Sequence, residues 1–251
     1  MELHNYGRKQ AFTLAEVLIT LGIIGVVAAI VMPGLITKIQ DRVNIVRWKK
    51  SYALVAEAVK RVKNRDISVC EAANCRAVRI PNITGNPDIY FSNAFIEAFI
   101  EELNPVDICF YAAEPRCYGK KWAIGSSYRL LNKKDVLING YNYYDARFLL
   151  KDGSIVYLSG DHGGPWLSVD VNGAVQKPNQ VGRDFFIIKV FEDKVLPLGA
   201  QGTFNTQTNG KECLCGDKYG VQTSANYFAG PGGIGEVISG GCCSAYYLYS
   251  K

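Results

Sequence analysis

The 251-residue sequence contains little of what most enzymes use for catalysis. It has two histidines, His4 and His162, and no Gly-x-Ser-x-Gly, His-Glu-x-x-His or P-loop motif. Gly230–Gly235 has the spacing of a dinucleotide-binding loop, but it contains Pro231 and too little chain follows it for a βαβ unit. We therefore predict that the chain is not an enzyme, and that Asp161–Gly164, around the second histidine, is a polar loop.

A concentration of charge of one sign is also missing. The 28 Lys and Arg and the 23 Asp and Glu give a net charge of +5 and are dispersed along the chain. This pattern favours solubility over a nucleic-acid-binding surface, so we expect no nucleic-acid partner. Hydrophobic residues make up 48% of the chain and charged residues 20%, which argues for a folded core and against global disorder.

Cysteine, in contrast, is plentiful, and every cysteine follows the N-terminal apolar run. An even number of cysteines beyond a membrane segment indicates an oxidising compartment and disulfides. Proximity in sequence suggests the pairs Cys70–Cys75 and Cys109–Cys117. The four cysteines after position 200 are expected to form disulfides rather than a zinc site. The eight cysteines are Cys70, Cys75, Cys109, Cys117, Cys213, Cys215, Cys242 and Cys243.

The segment Phe12–Ile36 contains one formal charge, Glu16. As a helix its 25 residues would span roughly 37 Å, enough for a hydrocarbon core of about 30 Å. The alternative is a secretory signal that is removed after Val27-Ala28-Ala29. The length of the run and the position of Glu16 favour a membrane anchor.

Phe-Thr-Leu-x-Glu begins this run, directly after a short basic leader that ends in Ala11. From Ala11 to Leu35 the sequence resembles the N-terminal signal of type IV pilins and type II secretion pseudopilins. The resemblance implies cleavage between Ala11 and Phe12 by a prepilin peptidase, and N-methylation of Phe12. The chain departs from the family pattern in having Ala11 where the family usually has glycine.

Glu16 would be the fifth residue of the processed chain. In a filament of packed helices, the Glu16 carboxylate of one subunit can pair with the Phe12 amino group of a neighbour. Each isolated charge is costly in a low dielectric, and together they compensate, so an unpaired Glu16 is expected to penalise the lone subunit. The alternative is that Glu16 reaches the head groups from near the helix end.

Small residues in the run suit close helix packing in lipid. Gly22 and Ala29 are seven residues apart, and Gly25 and Ala29 form a small-xxx-small pair. Pro33 removes one backbone hydrogen bond and predicts a kink or a locally melted turn. We therefore assign filament assembly to Phe12, Glu16, Gly22, Gly25, Ala29 and Pro33.

Helical periodicity continues beyond the membrane, so we predict one helix from Phe12 to about Arg65, with an amphipathic second half. Two helices hinged at Pro33 are the alternative. The apolar residues of the second half form two stripes, Ile39, Val43 and Val46, and Trp48, Tyr52, Val55, Val59 and Val62.

The remaining chain is predicted to be an α+β domain, in which the long helix packs on an antiparallel sheet, as in pilins. Ser92 is expected to cap a helix that ends at Leu103. Asp152-Gly153 and Asn172-Gly173 are predicted to form tight hairpin turns with two positive φ angles each. The predicted strands are Arg147–Leu150, Ser154–Leu158, Trp166–Val171 and Phe185–Phe191, and the predicted domains are 1–11 (leader), 12–36 (membrane and filament core), 37–65 (amphipathic extension) and 66–251 (globular).

Val169–Phe186 is similar to a turn of many pseudopilin-type domains, with Asp-x-Asn-Gly followed by Pro-Asn and Gly-x-Asp. Asp170, Asn172 and Asp184 could supply oxygen ligands to calcium, which some pseudopilins bind. Since EF-hand spacing is missing, a turn held by side-chain-to-backbone hydrogen bonds is the favoured interpretation, and no cofactor is expected.

Together these features predict a non-enzymatic pilin-like or pseudopilin subunit in the inner membrane, with its C-terminal domain outside the cytoplasm. The expected partners are other copies or related pilins, a prepilin peptidase, the assembly platform and membrane lipid. Two other classes remain open: a secreted enzyme or lectin-like module behind a conventional signal, and a competence pilin that binds DNA.

Overall fold

The computed structural model describes residues 13–70, 91–110, 122, 128–129, 136–138, 146–161, 164–192, 194–200, 203, 215 and 243–249. The chain divides into two compact units, Met1–Arg42 and Val43–Lys251. The helices are α1 (Leu14–Lys63), α2 (Asn93–Leu103) and α3 (Cys243–Tyr249). The strands are β1 (Asp107–Phe110), β2 (Tyr128–Arg129), β3 (Val136–Ile138), β4 (Ala146–Leu149), β5 (Ile155–Asp161), β6 (Gly164–Asp170), β7 (Phe185–Val190) and β8 (Val195–Pro197).

Helix α1 is continuous through Pro33. The prediction of a melted turn and the alternative of two hinged helices are therefore wrong. A proline removes a single hydrogen bond, and the intact turns on either side keep the helix continuous. The hydroxyl of Thr37 donates to the carbonyl oxygen of Pro33 at 3.0 Å, a bond to the i−4 carbonyl that threonine can form inside helices.

The second half of α1 packs on the sheet through the predicted stripe. Trp48, Val55, Val59 and Val62 are buried, and the Trp48 ring stacks on Phe186 of β7 with centroids 4.6 Å apart. The other predicted stripe, Ile39, Val43 and Val46, is exposed. The long helix packed on an antiparallel sheet confirms the predicted α+β fold class.

Helix α2 begins and ends where the sequence predicted. The hydroxyl of Ser92 accepts a hydrogen bond from the Phe95 amide at 3.1 Å, which caps the first turn. Asn104 adopts a left-handed conformation, with φ of 45°, and ends the helix. Phe95 and Phe99 are buried, and Phe99 contacts Phe148 of β4 edge to face.

Six strands form an antiparallel sheet in the order β1-β4-β5-β6-β7-β8, and β2 pairs with β3 separately. All four predicted strands are present as β4 to β7, with ends shifted by a few residues. The sequence did not predict β1, β2, β3, β8 or α3, because these elements are short and their apolar pattern covers too few residues to show a period.

Both faces of the central strands are buried, since successive side chains point to opposite sides. Val156 and Leu158 join the core beneath α1 and α2. Ile155 and Tyr157 join a second core with Trp166, Phe185 and Ile187. The sheet therefore lies between two apolar layers, and polar groups on the second face are removed from solvent.

The two predicted hairpin turns differ from expectation. Asp152-Gly153 does join β4 to β5, but only Gly153 has a positive φ, of 83°. Gly173 has a φ of 80°, but Asn172-Gly173 lies in the longer connection 171–184 between β6 and β7. A tight hairpin instead joins β5 to β6, where Asp161 pairs with Gly164, so those two residues belong to strands and not to a polar loop.

Cys215 and Cys243 form a disulfide that attaches α3 to the preceding chain. Cys70 and Cys109 are also disulfide-bonded, and their partners lie outside the described residues. The remaining cysteines, Cys75, Cys117, Cys213 and Cys242, lie outside the described residues as well.

Candidate functional site

The first half of α1 presents its apolar side chains to the surroundings. Leu14 and Ile30 are 78% and 74% exposed. Helix α1 is long and apolar enough to cross a membrane, and its most apolar stretch has no buried residues. Because an exposed apolar surface of this length is unstable in water, lipid or other protein must cover it.

Thr13 and Glu16 form a capping box at the start of this helix. The backbone N–H and the hydroxyl of Thr13 each donate to the same carboxylate oxygen of Glu16, Oε2, at 2.8 Å. The Glu16 amide in turn donates to the Thr13 hydroxyl oxygen at 3.2 Å. Two hydrogen bonds therefore hold one oxygen of the Glu16 carboxylate, and the third joins the Glu16 backbone to the Thr13 hydroxyl.

The hydrogen bonds from Thr13 to the Glu16 carboxylate were not predicted from the sequence, and the pairing of Glu16 with the Phe12 amino group of a neighbour stays a prediction. The missed signal was Thr-x-x-Glu at the start of an apolar run, the sequence pattern of a capping box. The hydrogen bonds lower the penalty that the carboxylate imposes on the single subunit. Ala11 and Phe12, the residues of the predicted cleavage site, lie outside the described residues, so their roles stay predictions.

Gly22 and Gly25 lie in open space on α1 in the part of the chain that the structure describes. A Cβ atom at either position would meet nothing within 4 Å. Glycine in a helix interior costs about 1 kcal/mol relative to alanine, and no close approach within the described chain offsets that cost. Ala29 and Pro33 are exposed in the same segment. Gly22, Gly25, Ala29 and Pro33, four of the predicted assembly residues, are thus accessible.

A second polar cluster lies at the end of β6. One carboxylate oxygen of Asp170 accepts from the amides of Asn172 and Gly173, and the other accepts from the Tyr128 hydroxyl at 2.5 Å. Asp184 accepts from the amides of Asn179 and Gln180 at 2.7 and 2.6 Å. These contacts confirm the predicted turn held by side-chain-to-backbone hydrogen bonds.

Burial controls the ionisation of this cluster. Removal from water raises the pKa of Asp170 to about 7, and repulsion from the Asp184 carboxylate adds to the shift. Burial likewise raises the pKa of Asp184 to about 6, against the effect of its backbone hydrogen bonds. The pKa of the Tyr128 hydroxyl is raised well above its ordinary value, chiefly by burial. Asp170 and Asp184 therefore keep their protons to a higher pH than exposed aspartates do.

The same groups include the oxygen atoms that the sequence offered as calcium ligands. All four carboxylate oxygens of Asp170 and Asp184 accept from N–H or O–H groups. Two buried oxygens, the side-chain carbonyls of Asn172 and Asn179, have no donor among the described residues. Calcium binding at this turn stays a prediction. Tyr128 was not predicted, because it lies 42 residues from Asp170 and belongs to no local motif. Asn179 belongs to the Pro-Asn of the motif, but the sequence assigned it no role.

Comparison with known proteins gives one match. Residues 7–32 match the family model described as the prokaryotic N-terminal methylation motif. No curated protein and no solved structure matches the chain significantly.

Proposed function

We propose that this chain, which carries the prepilin-type cleavage and methylation signal of type IV pilins and pseudopilins, is a structural subunit without enzymatic activity. It assembles through its N-terminal helix into a type II secretion pseudopilus or a type IV pilus-like filament. The observation that carries the proposal is the matched motif on a helix whose first half is apolar and exposed.

Processing comes first. A prepilin peptidase cleaves between Ala11 and Phe12, and the new amino group of Phe12 is methylated. The apolar helix holds the processed subunit in the inner membrane, where its length suits the hydrocarbon core. The domain that follows lies outside the cytoplasm, where the Cys215–Cys243 disulfide is stable.

Assembly transfers the apolar helix from lipid to the filament core. Other copies or related pilins cover the exposed side chains, with the assembly platform of the inner membrane as a further partner. Gly22, Gly25 and Ala29 allow close approach of neighbouring helices. The Glu16 carboxylate of one subunit receives the Phe12 amino group of the next, so two charges that are costly alone become a pair.

The proposal is tested by producing the chain with a prepilin peptidase and an assembly system and by determining its mature N-terminus by mass spectrometry. We expect a chain that begins with N-methylated Phe12. A chain that begins at Ile30 would instead support the secreted alternative and contradict the proposal.

A second arm tests the role of the carboxylate. Glu16→Ala should leave the subunit cleaved and membrane-bound but should abolish filaments seen by electron microscopy. Thr20→Ala is the matched control, because Thr20 is exposed on the same helix and, among the described residues, its hydroxyl donates to the backbone carbonyls of Glu16 and Val17. Filaments formed equally well by Glu16→Ala would refute the proposal.

A further inference from the structure

We propose that Thr13 is a positioning residue for subunit association: it holds one carboxylate oxygen of Glu16 and so leaves the other oxygen ready for the amino group of a second copy. The inference rests on the proposed function and deepens it. Thr13 itself belongs to neither partner of the proposed ion pair between the Glu16 carboxylate and the Phe12 amino group.

The hydrogen bonds divide the Glu16 carboxylate into two unlike oxygens. Both donors of Thr13, its amide and its hydroxyl, bind Oε2 at 2.8 Å. In the part of the chain that the structure describes, no donor contacts Oε1. The Glu16 amide closes the arrangement by donating to the Thr13 hydroxyl at 3.2 Å. The position of Glu16 is therefore set from both its side chain and its backbone.

This arrangement lowers the ordering that association requires. A free glutamate side chain loses much rotamer freedom when it is fixed in a contact. Because Thr13 already fixes the side chain in the single subunit, that loss occurs before two copies meet, which strengthens their association. The free oxygen keeps its capacity to accept a charge-assisted hydrogen bond from an ammonium group.

The hydroxyl of Thr13 acts as donor and acceptor at once, which few side chains can do in this space. Serine retains both capacities, whereas valine has nearly the shape of threonine and neither capacity. At position 16, glutamine can still form a capping box but carries no charge. These substitutions separate the hydrogen bonds of the cap from the charge of the carboxylate.

The test measures self-association of the full processed chain in lipid vesicles, by energy transfer between fluorophores attached at Lys251. The variants are Thr13→Val, Thr13→Ser, Glu16→Gln and the double variant Thr13→Val with Glu16→Gln. Each preparation is first shown by mass spectrometry to begin at Phe12, so that differences in processing do not enter the comparison.

We expect Thr13→Val to lower the association constant about 3- to 10-fold, the loss typical of one or two hydrogen bonds, and Thr13→Ser to remain within about twofold of the parent. Glu16→Gln should lower association further. Thr13→Val should have no additional effect in the Glu16→Gln background, because Thr13 acts through the charge that is then missing.

Three results would overturn the inference: Thr13→Val associates like the parent, Thr13→Ser fails as Thr13→Val does, or Thr13→Val has the same effect in both backgrounds. The last result would mean that the cap only stabilises the helix end. Each leaves the proposed function intact provided that Glu16→Gln weakens association. If Glu16→Gln associates like the parent, the pairing in the proposed function fails together with the role of Thr13.

Discussion

The indole Nε1 of Trp48 donates a hydrogen bond to the carbonyl oxygen of Ser244 at 3.0 Å, across 196 residues of sequence. Ser244 also accepts, through its hydroxyl oxygen, from the amide of Ile187 at 3.0 Å. Helix α3 thus contacts both α1 and β7, and the Cys215–Cys243 disulfide attaches it to the preceding chain. The C-terminal helix therefore fixes the position of α1 on the sheet.

Trp48→Phe should destabilise the folded chain by about 2–4 kcal/mol, because it leaves a buried carbonyl without its donor and opens a cavity. Chemical unfolding of the full chain in detergent, followed by circular dichroism, measures the change. Tyr52→Phe is the control: its half-buried hydroxyl donates to the Val195 carbonyl at 3.2 Å, and its loss should cost about 0.5–1.5 kcal/mol. Equal losses would contradict the role given to Trp48.

Gly173→Ala should cost more than Gly153→Ala, although both glycines have a positive φ near 80°. A Cβ atom at Gly173 would lie 2.6 Å from the backbone oxygen of Gly153, whereas a Cβ at Gly153 would meet nothing. We expect about 1–2 kcal/mol for Gly153→Ala from backbone conformation alone, and a larger loss for Gly173→Ala. The same unfolding measurement tests this order, and a reversed order would contradict the packing of the two turns.

The stability of the folded domain should fall as the pH rises from about 4 to about 7. The raised pKa of Asp170, about 7, means that the folded state holds a proton that the unfolded state has released. The proton therefore contributes stability at low pH, and this is lost as pH approaches the folded pKa. Unfolding midpoints between pH 4 and 8, with disulfides intact, measure the trend.

Asp170→Asn should flatten this dependence, since the amide cannot ionise. Asp152→Asn is the matched control. Partial desolvation alone would raise the pKa of Asp152, but hydrogen bonds from Ser154 and the ion pair with Lys50 outweigh it and lower this pKa. The contribution of Asp152 to stability is therefore lost as the pH falls, the opposite of the trend expected for Asp170. Asp184, whose pKa is also raised, to about 6, should leave a smaller decline at lower pH. A decline between pH 6 and 7 as steep in Asp170→Asn as in the parent would contradict the assignment.

Gly25→Leu should prevent filament assembly without unfolding the subunit. A Cβ atom at this position would meet nothing within 4 Å among the described residues, but in a close helix pair the leucine side chain would overpack the contact at a cost of about 1–3 kcal/mol. Filament yield by electron microscopy and membrane retention by fractionation are the two measurements. Ile24→Leu, at an exposed neighbouring position, should assemble normally, and a similar defect in both variants would argue against close packing at Gly25.

The parts of the fold that the sequence predicted have strong local signals. Long periodic stripes gave α1, a serine cap and an aromatic stripe gave α2, and runs of β-branched and aromatic residues gave β4 to β7. Strand β8 and helix α3 depend on contacts such as Trp48 with Ser244, which sequence spacing does not reveal. The same is true of the Tyr128–Asp170 hydrogen bond, which joins residues 42 apart.

Turn chemistry was harder to predict for a physical reason. Asn-Gly is the usual signal for a two-residue hairpin, but here the Asp170 carboxylate accepts from the amides of Asn172 and Gly173 themselves, and the strand ends at Asp170. The sequence Thr-x-x-Glu does predict the capping box of Thr13 and Glu16. It was missed because a glutamate within an apolar run was interpreted as a charge inside the membrane.

The most direct test of the central claim measures the distance between the Phe12 nitrogen of one subunit and the Glu16 side-chain carboxyl carbon of another. Filaments are assembled from an equal mixture of chains labelled with ¹⁵N-phenylalanine and chains labelled with ¹³C-glutamate, and dipolar coupling is measured by solid-state NMR. We predict a contact of about 4 Å or less, as expected for an ion pair, which in this mixture can arise only between different copies. Filaments that form without any such coupling would contradict the account.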